Sequence, residues 1–216
     1  MTRPSRNQDA LLIEAGKKLL PEVGVSGMSL KMVADKAGVN LGMFHYYFKT
    51  KSNFISKVLE AFKEDMNGGD ISFPKKADSI EKLKYYLNTM GKSFRDNRQL
   101  AIILYRDMLN NDAEVIDFLI SNFEKKEELL MQLIKDCQKD GYIPSEIPIS
   151  QLINFCVSGV KTPIVIAGVL ENMKSLKTPN KDELISDDAI AQRVEMILNG
   201  IVSSKEKSGF WFFKKN

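Results

Sequence analysis

The sequence predicts an all-α fold in two parts, a small amino-terminal bundle of three helices and a larger carboxy-terminal helical body. Apolar residues recur at helical spacing along nearly the whole chain, and no sustained alternation of polar and β-branched residues marks a strand. Three side chains suited to starting helices, Ser29, Asn40 and Thr50, fall within twenty-two residues. From Asn67 to Lys76 the sequence turns to Gly, Asp, Ser, Pro and Lys and reads as a linker, which sets the expected domains at 1–66 and 67–216.

The first helix is expected over Ala10 to Leu20, with Leu11, Leu12, Ala15 and Leu19 on one stripe and Gly24 and Gly27 marking the turn after it. Ser29 then caps a short helix from Leu30 to Ala37, which Gly38 closes in the left-handed conformation that glycine adopts without strain. Asn40 caps a second short helix ending at Phe48, and Thr50 caps a connecting helix from Lys51 to about Met66. Beyond the linker, five longer helices are expected near Ser79–Asn97, Gln99–Leu109, Ala113–Asp140, Ser150–Ser175 and Asp182–Ser204.

Charge is uneven along the chain. Residues 1–57 hold nine Lys/Arg against four Asp/Glu, a net +5, whereas residues 67–216 balance at 21 against 21. A basic segment on a neutral body is the electrostatic footprint of a nucleic-acid-binding head. The two cysteines, Cys137 and Cys156, lie far apart and outside metal-type spacings, which fits small buried apolar residues in a reduced, cytoplasmic setting. With His45 the only histidine, a multi-histidine metal site is excluded, and no cofactor pattern occurs. The stretch from Leu152 to Leu170 approaches the length of a membrane span, but Asn154, Lys161 and Pro163 interrupt it. A central lysine costs about 2.5–3.5 kcal/mol on insertion scales, so a helix buried against protein is preferred.

A helix followed by a short helix, a glycine turn and another short helix is the helix-turn-helix pattern, whose second short helix enters the major groove. Here that element is Asn40–Phe48, with Phe44 and Phe48 four residues apart on a packing face and Leu41, Met43, His45, Tyr46 and Tyr47 over the rest of the circumference. Gly42 costs about 1 kcal/mol relative to alanine inside a helix, so it needs a packing or a contact reason, and close approach of DNA supplies one. Tyr46, Tyr47, His45, Lys49 and Lys51 carry groups able to reach phosphate oxygens. Leu41 and Met43 offer no hydrogen bonds and are suited to thymine methyl groups.

The run Ser29-Leu-Lys-Met-Val-Ala-Asp-Lys-Ala-Gly-Val-Asn-Leu-Gly-Met-Phe-His-Tyr-Tyr-Phe-Lys-Thr-Lys51 resembles the signature of the tetracycline-repressor (TetR) family. Val33-Ala34, Ala37-Gly38-Val39, Gly42, Tyr47-Phe48 and Lys51 match its pattern one by one, within a resemblance covering about residues 8–62. The resemblance implies a homodimer whose two reading helices enter successive major grooves of a near-palindromic double-stranded operator. It implies that Ser29 and Lys31 touch the backbone or a base edge, that His45, Tyr47 and Lys51 touch phosphates, and that positions 41 and 43 face bases. Polar residues are common in the family at those last two positions, so Leu41 and Met43 are a departure.

The family's carboxy-terminal body encloses a pocket for a small-molecule effector, expected here to be largely apolar and lined by residues such as Met90, Phe94, Leu104, Met108, Phe118 and Phe155. The competing reading is that these side chains are plain core. Lys161, alone in an apolar helix, either meets an anionic ligand group or packs its stem and sends its ammonium to water or to a neighbouring carboxylate. The family resemblance places dimerisation on helices 150–175 and 182–204. The first is apolar nearly all round, and Ser158, Gly159, Ala167 and Gly168 permit close approach. The tail Gly209–Asn216, GFWFFKKN, suits a membrane interface, although packing on the body or disorder is the favoured reading. Without paired carboxylates in an apolar stretch, a nucleophile–histidine arrangement or a phosphate loop, the sequence points to a ligand-responsive repressor and away from an enzyme. The rival is a helical ligand carrier or enzyme with a vestigial head.

Overall fold

The structure, a computed structural model, describes residues 7–66, 71–171 and 182–202. All regular structure among them is helical: α1 (Gln8–Gly27), α2 (Leu30–Ala37), α3 (Leu41–Phe48), α4 (Lys51–Met66), α5 (Ser79–Asp96), α6 (Arg98–Leu109), α7 (Ala113–Lys139), α8 (Ile149–Glu171), α9 (Asp182–Ile185) and α10 (Asp187–Ile201). The tail Gly209–Asn216, the end of the expected helix at Ser175 and the first part of the linker lie outside the described residues.

Two compact units result. The first comprises Met1–Asp70 and Asn97–Glu124; the second comprises Ile71–Asp96 and Lys125–Asn216. The linker marks where the chain leaves the helix-turn-helix, and packing then adds α6 and the start of α7 to that same unit.

In unit 1, α1 buries Leu12, Ala15, Leu19 and Leu20 against Phe44, Phe54, Ile55, Val58 and Leu59. Each large apolar side chain fully withdrawn from water contributes about 1.5–3 kcal/mol. Of the expected stripe, Leu12, Ala15 and Leu19 are buried, together with Gly16 and Leu20, whereas Leu11 is 52% exposed, just outside the arc of the helix that they occupy. Helix α1 also continues past Leu20, where sequence alone stops it, running through Pro21 before breaking at Gly24. Leu100 and Leu104 of α6 and Val115 of α7 complete this core.

In unit 2, the start of α5 is a reciprocal capping box. The Asp78 N–H donates to Glu81 Oε2 at 3.1 Å, and the Glu81 N–H donates to Asp78 Oδ1 at 2.9 Å. The Glu81 N–H, followed by the Tyr142 hydroxyl 2.8 Å from Asp78 Oδ2, holds the Asp78 carboxyl below its usual range. Helices α5, α8 and α10 approach closely at glycines. A Cβ on Gly91 would lie 2.6 Å from Ile190 and 3.0 Å from Val160, and one on Gly159 would lie 2.7 Å from Ile197. Gly159 thus gives close approach within its own chain. Cys137 and Cys156 are fully buried in this core, and burial pushes their thiols up to about 11 and about 12. The expected helix Asp182–Ser204 is two helices. Ser186 breaks it and caps α10, its hydroxyl accepting from the Ala189 N–H at 3.1 Å, with Asp187 and Asp188 in the first turn.

Candidate nucleic-acid interface

Local hydrogen bonds build the turn between α2 and α3. Ser29 caps α2 by accepting from the Met32 N–H at 3.2 Å. Gly38 closes α2 at φ 65°, ψ 30°, and the Gly38 and Val39 N–H groups donate to the Asp35 and Ala34 carbonyls at 3.2 and 3.0 Å. That paired arrangement satisfies carbonyls the helix end leaves open and turns the chain sharply into α3. Asn40 caps α3 through a 2.8 Å bond from the Gly42 N–H. A Cβ on Gly42 would sit 3.2 Å from that same Asn40 Oδ1, so glycine leaves room for the cap while its own position stays exposed.

Helix α3 divides into two faces. Phe44 and Phe48 are buried, with ring centroids 5.0 Å from Phe54 in each case and 5.4 Å from each other. On the remaining circumference, Leu41 is 40% and Tyr46 66% exposed, His45 is exposed, and Met43 and Tyr47 are half-buried. Tyr46 and Tyr47 meet edge to face at 5.0 Å, which braces the two hydroxyl-bearing rings against each other.

The turn into α4 is tight. Lys49 adopts φ 61°, ψ −50°, and the Thr50 N–H donates to the Phe48 carbonyl at 2.6 Å, a strained γ-turn geometry for a residue other than glycine. Thr50 accepts from the Asn53 N–H at 3.1 Å and so caps α4, while Asn53 Nδ2 donates back to the Phe48 carbonyl at 3.3 Å. Sequence reasoning did not single out Asn53, although its place three residues after a capping threonine was the available signal.

Lys17, Lys36 and Lys57 of unit 1 pair with Glu14, Glu22 and Glu60. Among the described residues, no carboxylate pairs with Lys31, Lys49 or Lys51. Ser29, Lys31, Asn40 and Lys49 are exposed and Lys51 is half-buried. The expected DNA-contacting residues therefore share one solvent-facing stretch, Ser29–Lys51, of unit 1.

The residues expected at an effector pocket are distributed between the units. Leu104 is buried in the unit 1 core, with Met108 and Phe118 packed against it. Met90 packs on the unit 2 core. Phe155 is 52% exposed on α8. Lys161 places its Nζ 5.3 Å from the centroid of the Phe94 ring, a cation–π geometry. Burial, followed by the nearby Lys126 charge, lowers the Lys161 pKa, and Glu127 opposes that shift.

Comparison with known proteins accords with this geometry. Residues 12–58 match the family "Bacterial regulatory proteins, tetR family". The chain is 27% identical over 127 residues to the probable HTH-type transcriptional regulator YttP of Bacillus subtilis, a match spanning 57% of this chain and 60% of that protein. It is 20% identical over 157 residues to the HTH-type transcriptional repressor KstR2 of Mycolicibacterium smegmatis, spanning 71% of this chain and 76% of the relative. Its fold is that of the transcriptional regulator FadR from Bacillus subtilis, solved in complex with stearoyl-CoA, at a TM-score of 0.63 and 17% identity over 89% of this chain and 98% of that one. The capped helix-turn-helix thus lies within the segment, residues 12–58, that matches the tetR family, and over more of its length the chain is similar to HTH-type transcriptional regulators and shares their all-helical fold.

Proposed function

We propose that this regulator is a ligand-responsive repressor that binds a near-palindromic operator as a homodimer and releases it when a small molecule occupies its body. The carrying observation is that, among the described residues, no carboxylate pairs with Lys31, Lys49 or Lys51 around α3, whereas Lys17, Lys36 and Lys57 of the same unit are paired. An unneutralised lysine releases DNA counterions when it meets a phosphate, whereas one already paired must first give up its carboxylate. In this reading Ser29, Lys31, His45, Tyr46, Tyr47, Lys49 and Lys51 hold the DNA backbone. The Asn40–Met43 turn brings Leu41 and Met43 to base edges, where they favour thymine methyl groups.

Dimerisation is assigned to α8 and α10. Helix α8 is long and apolar enough to cross a membrane over Ile149–Leu170, yet only 33% of its most apolar window is buried within the chain. Phe155, Ile166 and Val169 fall on one exposed face of α8, and Met196 of α10 is 65% exposed. A second copy covers such a face in a two-fold assembly without leaving apolar surface in water. The effector is taken to be largely apolar, in keeping with the stearoyl-CoA held by FadR, with Met90, Phe94 and Lys161 of unit 2 as the side chains that meet it. Its binding favours a dimer geometry in which the two reading helices no longer match groove spacing.

Selection of duplexes from a random-sequence pool by the full-length protein tests this function. The enriched sequence is expected to be an inverted repeat with half-site centres about 10 bp apart or a multiple of that spacing. Enrichment of a single asymmetric site would contradict the homodimer, and no enrichment would contradict operator recognition.

A further inference from the structure

The end of α1 is held by side chains that lie far outside the helix-turn-helix. Asp107, in the last turn of α6, is fully buried. Its Oδ2 accepts a 2.7 Å hydrogen bond from the Val25 N–H, and its Oδ1 accepts from Arg106 Nε and Nη2 at 3.0 and 2.8 Å. The same Arg106 Nη2 donates to the Val23 carbonyl at 3.0 Å. The two neighbouring α6 residues therefore grip the peptide groups on both sides of Gly24. At φ 75°, ψ 179°, Gly24 is where α1 breaks, and a Cβ there would collide with the Arg106 guanidinium and the Asp107 carboxylate.

A second tie lies at the same corner. Ser26 Oγ donates to Asp112 Oδ2 at 3.1 Å, while the Asp112 N–H donates to the Asp107 carbonyl at 3.0 Å. The other Asp112 oxygen accepts from the Val115 N–H at 3.2 Å and so caps α7. Three residues after Ser26, Ser29 starts α2, which leads through Gly38 into α3. The path by which the chain leaves α1 for the recognition element is thus fixed by Arg106, Asp107 and Asp112, all beyond the family-matched residues 12–58.

We propose that Asp107, tied directly to Val25 and through Arg106 to Val23 on the other side of Gly24, is a positioning residue for operator recognition. It sets the orientation of α2 and α3 on the α1–α6 frame without itself touching DNA. A buried carboxylate holding a backbone N–H is a stiff, directional tie. An amide in its place offers one acceptor oxygen for two donors, so either the Val25 N–H or the Arg106 guanidinium loses its partner and the remaining bond is uncharged on the acceptor side. Loosening the tie lets α3 wander from the base edges while the lysines around it still meet phosphates. The phosphate term depends on charge and tolerates small displacements, whereas base readout depends on register. The inference rests on the reading of α3 as the DNA-contacting helix.

The test compares full-length wild type, Asp107→Asn and Ser26→Ala, each well below its unfolding midpoint, on a duplex selected by the wild type and on a shuffled duplex at several salt concentrations. Asp107→Asn should lower the ratio of selected to shuffled affinity by about tenfold, the size of one mismatched base pair, with the salt slope on the shuffled duplex unchanged. Ser26→Ala, which removes only an exposed tie, should lower the ratio by about twofold. Amide exchange should quicken at Val25 in Asp107→Asn and stay at the wild-type rate at Phe44. An unchanged ratio in Asp107→Asn would overturn the proposal. Should Asp107→Asn not fold, an unchanged ratio in Ser26→Ala would overturn it. Equal loss on both duplexes assigns Asp107 a purely structural role and also overturns it. Wild-type protein that shows no salt-dependent binding at all would instead sink the reading of α3.

Discussion

In unit 1, the helix-turn-helix is assembled from helices of eight residues whose ends are closed by their own neighbours: Ser29 on Met32, Gly38 on Ala34 and Asp35, Asn40 on Gly42. Unit 2 instead joins helices of up to 23 residues through close approach, with Gly91 and Gly159 accepting Ile190, Val160 and Ile197 against the backbone. Short capped helices aim side chains, because each cap fixes where a helix begins and which residues follow on its outer face. Long helices meeting at glycines build a body, and their alignment depends on contacts distant in sequence.

The largest effect should follow from breaking the aromatic centre of unit 1. Phe44→Ala removes a fully buried ring packed on Phe48 and Phe54, and a loss of about 3–5 kcal/mol is expected in denaturant unfolding. A loss under about 1 kcal/mol would show that the head does not depend on that cluster. Gly91→Val puts methyl groups where even a Cβ has no room against Ile190 and Val160. Overpacking of this kind costs about 1–3 kcal/mol, read as a lowered midpoint. If the variant is neutral, α5, α8 and α10 are less tightly joined than their geometry says.

A smaller change sharpens the comparison. Asn40→Ala removes the α3 cap and should cost about 1 kcal/mol of stability, and because the cap also sets the first turn of α3, operator affinity should fall by more than the stability change accounts for. Equal effects on folding and on DNA binding would show that the cap serves only the helix.

The difference between the regions also decides what could be read from sequence. Ser29, Gly38, Asn40 and Thr50 each act on atoms two to four residues away, so their roles were visible in the sequence itself. The buried face of α3 followed from the four-residue spacing of Phe44 and Phe48. The break at Gly24 was not legible in its true form, because its partners Arg106 and Asp107 lie 83 and 82 positions from the groups they hold. Leu11 and Leu12 could not be told apart by periodicity, since either completes a helical stripe. Ser186 with Asp187 and Asp188 behind it carried a helix-start signal, yet the apolar pattern on both sides suggested one continuous helix. In the body, Met and Phe at helical spacing look the same whether they fill a core or line a cavity, so the fold's class was readable there and the role of each such side chain was not.

The central claim, that Lys31, Lys49 and Lys51 around α3 bind DNA phosphates, is tested most directly by the salt dependence of duplex affinity in wild type and Lys51→Ala. Wild-type log affinity should fall linearly with log salt concentration. Lys51→Ala should flatten that slope by about 1 for each subunit engaged, with affinity reduced nearly uniformly across duplex sequences. An affinity indifferent to salt, or a slope that Lys51→Ala leaves untouched, would contradict the account.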